Sequence, residues 1–331
     1  MSRRSTRTRL LLGLLCLCGM LPQAVLAQSC TTTSSPSINF GNVDVLSGTD
    51  PPEVSSSIAV QCSTGLLSGT VNFKVCLSIG GASGTNPRVM NNGTALLSYN
   101  LYTDQPHSNI WGSIFSGNPT GLNNIALTVN GGLLGGNAST TVPIYGYLSV
   151  SQNTTAPAGT YQQNLTGGQV AVSYTYSSGT PASCTAGGST VSGTFGFTPT
   201  ATVINSCYLS TTPVNFGSAT SLGSALTASG GINIACTMSD SYTIKLNAGS
   251  TSGASLTDRR MQGPGSNVAH YQLYTSGSHA SIWGDGTAGT STVTGTGNAT
   301  QQSYTVYGQV QSQATPAPGS YSDTITVTVT Y

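Results

Sequence analysis

Charged side chains are almost missing from this sequence. Its 331 residues include nine Lys and Arg and eight Asp and Glu, 5% in all, where an average soluble protein carries about 25%. Four of the nine cations, Arg3, Arg4, Arg7 and Arg9, fall in the first ten positions. The body keeps five cations against eight anions, so no basic patch can neutralise a row of phosphates and nucleic acid is excluded as a partner. Helical periodicity is also lacking beyond the N-terminus, as is any second apolar run of the ~18 residues a membrane span needs. No His-Glu-x-x-His, Cys-x-x-Cys or nucleophile-elbow spacing occurs, and no Gly pair opens a helix that could cradle phosphate. The chain is therefore read as a non-enzyme without metal or cofactor. It is not read as disordered, because 37% of residues are hydrophobic and little charge repels.

The first 27 residues read as a secretory signal: arginines, the apolar run Leu10 to Leu21, and a small-residue cleavage site at Val25-Leu26-Ala27. No membrane span is expected once it is removed. Cys16 and Cys18 leave with it, and Cys30, Cys62, Cys76, Cys184, Cys207 and Cys236 remain. An even count in an exported chain suggests disulfides.

The second half repeats the first. Ile38-Asn39-Phe40-Gly41 returns as Val214-Asn215-Phe216-Gly217, Leu101-Tyr102-Thr103 as Leu273-Tyr274-Thr275, and Ile110-Trp111-Gly112 as Ile282-Trp283-Gly284. Ala156-Pro157-Ala158-Gly159-Thr160-Tyr161 returns as Pro316-Ala317-Pro318-Gly319-Ser320-Tyr321. Each copy has a cysteine pair, 32 and 29 residues apart, so Cys30–Cys62 and Cys207–Cys236 is the parsimonious pairing. Cys76 and Cys184 have no counterpart in the second copy and are paired with each other. Alternation at Val71, Phe73, Val75, Leu77, Ile79, at Val170, Val172, Tyr174, Tyr176 and at Ile325, Val327, Val329, Tyr331 predicts half-buried antiparallel strands. The fold class expected is all-β, with two Ig-like β-sandwich domains at 28–205 and 206–331.

The paired cysteines, the Asn-Phe-Gly turn, the Leu-Tyr-Thr and Ile-Trp-Gly segments and the closing Pro-x-Gly-x-Tyr strand resemble the spore coat protein U domain family, over nearly all of residues 30–331. The two-domain arrangement resembles the tip adhesins of archaic (Csu-type) chaperone–usher pili. The resemblance implies pilin domains lacking their last strand, G, which a neighbouring subunit supplies. Three features bear on this. Only Gln28 and Ser29 separate the cleavage site from Cys30, too few for a donor arm. The chain stops at Tyr331, aligned here with Tyr176, so the C-terminal domain lacks its last strand. After Tyr176, in contrast, Val191, Phe195, Phe197, Ala201 and Val203 alternate over about 190–203 as a self-complementing strand, weakened at Pro199, which cannot donate to a ladder. The partners implied are a periplasmic pilus chaperone, an outer-membrane usher and an adjacent pilin donating a strand to 206–331, with export through the periplasm to a pilus tip at the cell surface.

Three apolar pairs flanked by Gly and Ser occur in the first copy alone: Leu66-Leu67, Ile114-Phe115 and Leu133-Leu134. They either fold onto the core or form an exposed surface. The second reading gives attachment to abiotic or hydrophobic surfaces and promotion of biofilm. Strand direction places Leu66, Leu67, Ile114 and Phe115 away from the fibre and leaves the 123–141 insertion undirected. Alternatives are a secreted coat, matrix or shaft protein that associates laterally, or a carbohydrate-binding module using Tyr99, Tyr145 and Tyr147. Trp111, Trp283, His107 and His279 recur in both copies, which favours fold roles over binding or catalysis.

Overall fold

The computed structural model describes residues 28–80, 88–113, 123–184 and 190–331; the signal segment 1–27 and the pair Ile114 and Phe115 lie outside them. The described chain is nearly all-β. The first set of strands is β1 (Ser29–Thr32), β2 (Asn39–Val43), β3 (Val54–Thr64), β4 (Thr70–Ile79), β5 (Arg88–Asn92), β6 (Ala95–Tyr102), β7 (Asn123–Asn130), β8 (Gly136–Tyr147), β9 (Gly159–Gln162), β10 (Val170–Ser177), β11 (Thr190–Thr194) and β12 (Thr200–Val203). They form one sheet in the order β1-β3-β8-β6-β5-β9-β12-β2 and another in the order β11-β10-β4-β7. The second set is β13 (Cys207–Thr212), β14 (Leu226–Cys236), β15 (Ser241–Leu246), β16 (Arg259–Gln262), β17 (Val268–Tyr274), β18 (Val293–Thr296), β19 (Gln302–Val310) and β20 (Val327–Thr330). Its sheets run β13-β14-β19-β17-β16 and β18-β15-β20. Each pair of sheets encloses its own apolar core.

Alternation places the core. In β3 the residues Ile58, Val60 and Cys62 point inward, and in β14 Ile232, Ile234 and Cys236 repeat the pattern. The motifs shared by the two halves are packing devices. Asn39 caps the amide of Gly41, and Asn215 that of Gly217, both at 2.9 Å, and both glycines take a positive φ. This turn lays Phe40 over Gly146 and Phe216 over Gly308, where a Cβ would strike the ring. Tyr161 donates to the Pro157 carbonyl and Tyr321 to that of Ala317, both at 2.7 Å, closing the Pro-Gly turn. Trp111 and Trp283 are buried, their indole nitrogens donating to Leu77 at 2.9 Å and Ile244 at 3.1 Å.

The segment after β10 completes the first core from within the chain. β11 pairs antiparallel with β10 across a bulge at Val172/Ser173. The chain then changes sheets, and β12 inserts between β9, antiparallel, and β2, parallel. Phe195, Phe197, Ala201 and Val203 are buried in the core. Val191 is not: it stands 51% exposed, because the bulge ends the alternation that would have turned it inward. Pro199 sits where the strand breaks. Lacking an N–H it only accepts, from Gln163 at 3.2 Å.

Disulfides join Cys30 to Cys62, Cys207 to Cys236 and Cys76 to Cys184. The first two tie β1 to β3 and β13 to β14 at matching register. The third spans 108 residues and fastens the segment after β10 to β4; in the chain-entropy description a loop of that length contributes ~4–5 kcal/mol. The two sandwiches meet through Ile204-Asn205-Ser206. Ile204 donates to Val43, Ser206 exchanges bonds with Thr237, and Asp44 accepts from the Ser206 hydroxyl at 2.7 Å and the Tyr208 hydroxyl at 2.8 Å.

Candidate functional site

Two features stand out, a groove in the second sandwich and an apolar end on the first. The groove follows from a comparison of equivalent strands. In the first sandwich β12 bridges β2 and β9. In the second, nothing among the described residues fills that place. Residues 215–219, equivalent to β2, pair with no strand, and residues 319–322, equivalent to β9, keep only the bridge Gln262–Ser322. β20 pairs with β15 on one side and with no described strand on the other. The result is a cleft of about 1040 Å³. Its walls include Val214, Phe216, Leu226, Met261, Ile325 and Val327, all partly buried, whereas Ile38, Phe40 and Val170, the equivalents of Val214, Phe216 and Val327, are buried outright. An apolar cleft edged by an unpaired strand is a site for an added strand.

The register corrects one alignment. Ile79 donates to Gly112 and Leu246 to Gly284, so these residues are equivalent. Val170 lies opposite Ile79, and Val327 opposite Leu246. Counting on by alternation, Tyr331 corresponds to Tyr174, not Tyr176. Between the closing tyrosine and this strand the first copy is three residues longer, the length of the turn Gly167–Gln169 before β10.

The apolar end is built by two hairpin loops. β3 and β8 run to one end of the first sandwich, where Thr64 pairs with Gly136, and β4 and β7 begin and end there, with Thr70 opposite Asn130. The loops 65–69 and 131–135 lie side by side. Leu67 donates to the Leu133 carbonyl and Gly131 to that of Gly69, both at 3.3 Å. Gly131 and Gly135 permit this approach, since a Cβ on either would come within 2.6 Å of a carbonyl oxygen of the facing loop. With the backbones occupied by each other, the side chains turn outward. Leu66 is 47%, Leu67 73%, Leu133 77% and Leu134 89% exposed. Leu67 also takes φ 58°, a costly conformation for a bulky residue and one stabilised here by the paired loops. β12 leaves at the opposite end, so these four leucines face away from the second sandwich. The 123–141 insertion, whose direction sequence could not supply, thus brings Leu133 and Leu134 beside Leu66 and Leu67.

Ile114 and Phe115 lie outside the described residues. Their described neighbours fix the ends of that segment: Ser113 beside Gly80, and Asn123 opposite Leu77. Ser113 and Asn123 lie at the far end of β4, which at ~3.3 Å per residue is about 30 Å from loop 65–69. Trp111 donates its backbone N–H to Leu101 and sits against Leu77.

Other expectations resolve similarly. Tyr99 is buried, its hydroxyl on Gln163 at 2.5 Å, so it is closed to a sugar. The Tyr147 hydroxyl is taken by Asp50. That bond holds the Asp50 carboxyl below its ordinary value, with further bonds from Val150 and Ser149 outweighing burial. His107 turns at φ 56° and His279 at φ 54°, in matching turns, and His107 lies between Tyr102 and Tyr147 with Glu53 at 2.6 Å.

The sequence reading missed two cations. Arg88 and Arg259 are buried and hold equivalent positions. Arg88 donates to Ile79 at 2.6 Å, to Trp111 and to Asn100. Arg259 donates to Asn247 at 2.8 and 3.0 Å, to Trp283 at 2.7 Å and to Gln272 at 2.7 Å. Burial lowers the pKa of both. Each clamps the tryptophan turn to the strand beneath it with carbonyl acceptors alone. The usable signal was an arginine recurring before Leu-Tyr-Thr in a chain with five cations outside its leader.

Comparison with known proteins now decides the family. The family description "Spore Coat Protein U domain" matches residues 19–168 and again 192–328. The chain belongs to the spore coat protein U domain family. The first match reaches through β9 of the first sandwich, and the second begins within β11 and runs through the second sandwich. A chain of the CsuC–CsuE chaperone–tip adhesion subunit pre-assembly complex from archaic chaperone–usher Csu pili of Acinetobacter baumannii is similar in fold. The identity is 17% and the TM-score 0.50, over 92% of this chain and 100% of that one. The CupB6 tip adhesin from Pseudomonas aeruginosa aligns at 12% identity over 92% of this chain and 93% of its own, with a TM-score of 0.36. No curated protein sequence matches the chain. Among the described residues no helix is long and apolar enough to cross a membrane.

Proposed function

We propose that this spore coat U family chain is the tip subunit of a chaperone–usher pilus. It attaches cells to hydrophobic or abiotic surfaces and promotes biofilm formation. Residues 28–205 form the outer, self-completed domain, and 206–331 form a pilin domain that accepts a strand. The single observation that carries this reading is the asymmetry between equivalent places: β12 fills the first, and a cleft of about 1040 Å³ stands in the second. Residues 29–32 are held in β1 by Cys30–Cys62 and are not free to complete a neighbour. The partners are then an adjacent pilin whose segment enters the cleft, a periplasmic chaperone that occupies it beforehand, and an outer-membrane usher. The protein is exported and placed at the cell surface.

Adhesion would use Leu66, Leu67, Leu133 and Leu134. Full burial of one such side chain is worth ~1.5–3 kcal/mol, and many pili engage together. No charged residue occurs in 63–72 or 128–138, so ionic strength should matter little. Replacing the four leucines with Ser should cut attachment to polystyrene ~tenfold or more while pili still assemble. Unchanged attachment by assembled pili would sink the loop assignment. The coat or matrix alternative predicts lateral self-association of the free chain, which sedimentation at rising concentration would reveal.

A further inference from the structure

Gln28 lies at the apolar end. β1 starts at Ser29 and is paired so that Ser29 faces Ser63, their hydroxyls 2.9 Å apart, two residues before the loop that carries Leu66 and Leu67. The Gln28 carbonyl accepts a 2.8 Å bond from the Tyr174 hydroxyl, and Tyr174 lies opposite Val75 on β4, below the same end. The residue is half-buried and held in place. The surroundings hold no charge. Residues 63–72, 128–138 and 176–184, which make up this end, contain no Asp, Glu, Lys, Arg or His.

Cleavage after Ala27, at Val25-Leu26-Ala27, would make Gln28 the amino terminus. Its α-ammonium would then be the sole charge beside the exposed leucines. An ammonium there must keep its water, and that opposes burying the leucines against an apolar surface.

We propose that Gln28 is a modification site: once freed as the amino terminus it cyclises to pyroglutamate, leaving the outer end of the molecule uncharged. The α-nitrogen lone pair attacks the Cδ carbon of its own carboxamide. The N–Cδ bond forms and the Cδ–Nε2 bond breaks. A proton passes from the α-nitrogen to the departing nitrogen, which leaves as ammonia. Nothing is oxidised or reduced, and no co-reactant is consumed. The backbone carbonyl bonded by Tyr174 takes no part, so the anchor survives the reaction. The product is a neutral five-membered lactam with a single N–H in place of a cation.

The site itself rests on cleavage after Ala27, and its value to attachment rests on the adhesive reading above. The experiment separates the two. The full protein is recovered from the producing cell, and its amino-terminal peptide is analysed by mass spectrometry. The expected peptide begins at residue 28, is one ammonia lighter than the genetic sequence, and yields to amine labelling only after pyroglutamyl aminopeptidase. A Gln28 peptide with a free amine, or a terminus elsewhere, overturns the proposal. The Gln28→Ser protein, which cannot cyclise, supplies a free-amine standard. Assembled pili carrying it should attach to polystyrene several-fold less well at neutral pH and recover above the amine pKa of ~8. If the lactam is present but attachment is the same in both, the modification stands and the adhesive reading of that end fails.

Discussion

Arg259 brings a full charge into the second core and meets it with neutral oxygens from Asn247, Gln272 and Trp283. Removing it leaves those acceptors unpaired, at ~1–3 kcal/mol each when buried. Arg259→Met should therefore lower the melting temperature of the second sandwich, by ~2–4 kcal/mol of stability, and leave the first unchanged. Calorimetry of the two transitions checks this. Asp240 presents the opposite case. Its Oδ2 is buried without a partner, and burial raises its pKa. The folded state thus holds the proton more tightly than the unfolded one. That contribution is complete below the unfolded value and is lost as pH rises through the folded one. Asp240→Asn should stabilise the chain by up to ~1 kcal/mol at neutral pH and make no difference near about pH 3, read from urea midpoints at both. Asp50, whose pKa is lowered, has the reverse sign: its contribution is present at neutral pH and disappears on acidification. None of these roles was legible in the sequence. A buried arginine and an orphaned carboxylate look like surface charges until their neighbours are known.

Strands were the legible elements, because alternation follows directly from the two-residue repeat of extended backbone. The alternating runs from Val71 to Ile79, from Val170 to Tyr176 and from Ile325 to Tyr331 fall on β4, on β10 and across β20. Two departures share another cause. Val191 turned outward because a bulge in the pairing of β10 and β11 reset the alternation. Tyr331 shifted by one two-residue repeat because the turn before β10 makes the other copy three residues longer there, a length the motif order did not give. The inserted strand is the element that most separates the two sandwiches. Phe197, in the segment leading into β12, bridges Leu165 and is buried, and Phe197→Ala should cost the first sandwich ~3–5 kcal/mol. It should also convert that sandwich into an acceptor of an added strand peptide. A variant with unaltered stability would mean that β12 is not what completes the first core.

The whole molecule has polarity. Four leucines stand at one end, the cleft lies in the opposite half, and Ile204-Asn205-Ser206 joins them with bonds to both sides. Asp44 reaches across this joint to Ser206 and Tyr208, and its bond raises the Tyr208 hydroxyl's pKa. Such a joint holds the leucines at a set angle to any fibre attached at the cleft. The repeat made the two halves and their cysteine pairs readable, and the asymmetry between them followed from a segment with no counterpart. The angle between the halves had no sequence signal, since it rests on one carboxylate meeting two hydroxyls.

The most direct test of the account is differential scanning calorimetry of the full chain with and without a donor-strand peptide from a co-encoded subunit. The transitions are assigned beforehand with Arg259→Met and Phe197→Ala. The account predicts that the peptide raises the transition of 206–331 alone, by ~2.7 kcal/mol at a hundredfold excess over its Kd. Failure of that transition to move, or an equal rise in both, would contradict the open-cleft architecture and with it the placement of this chain at the end of a fibre.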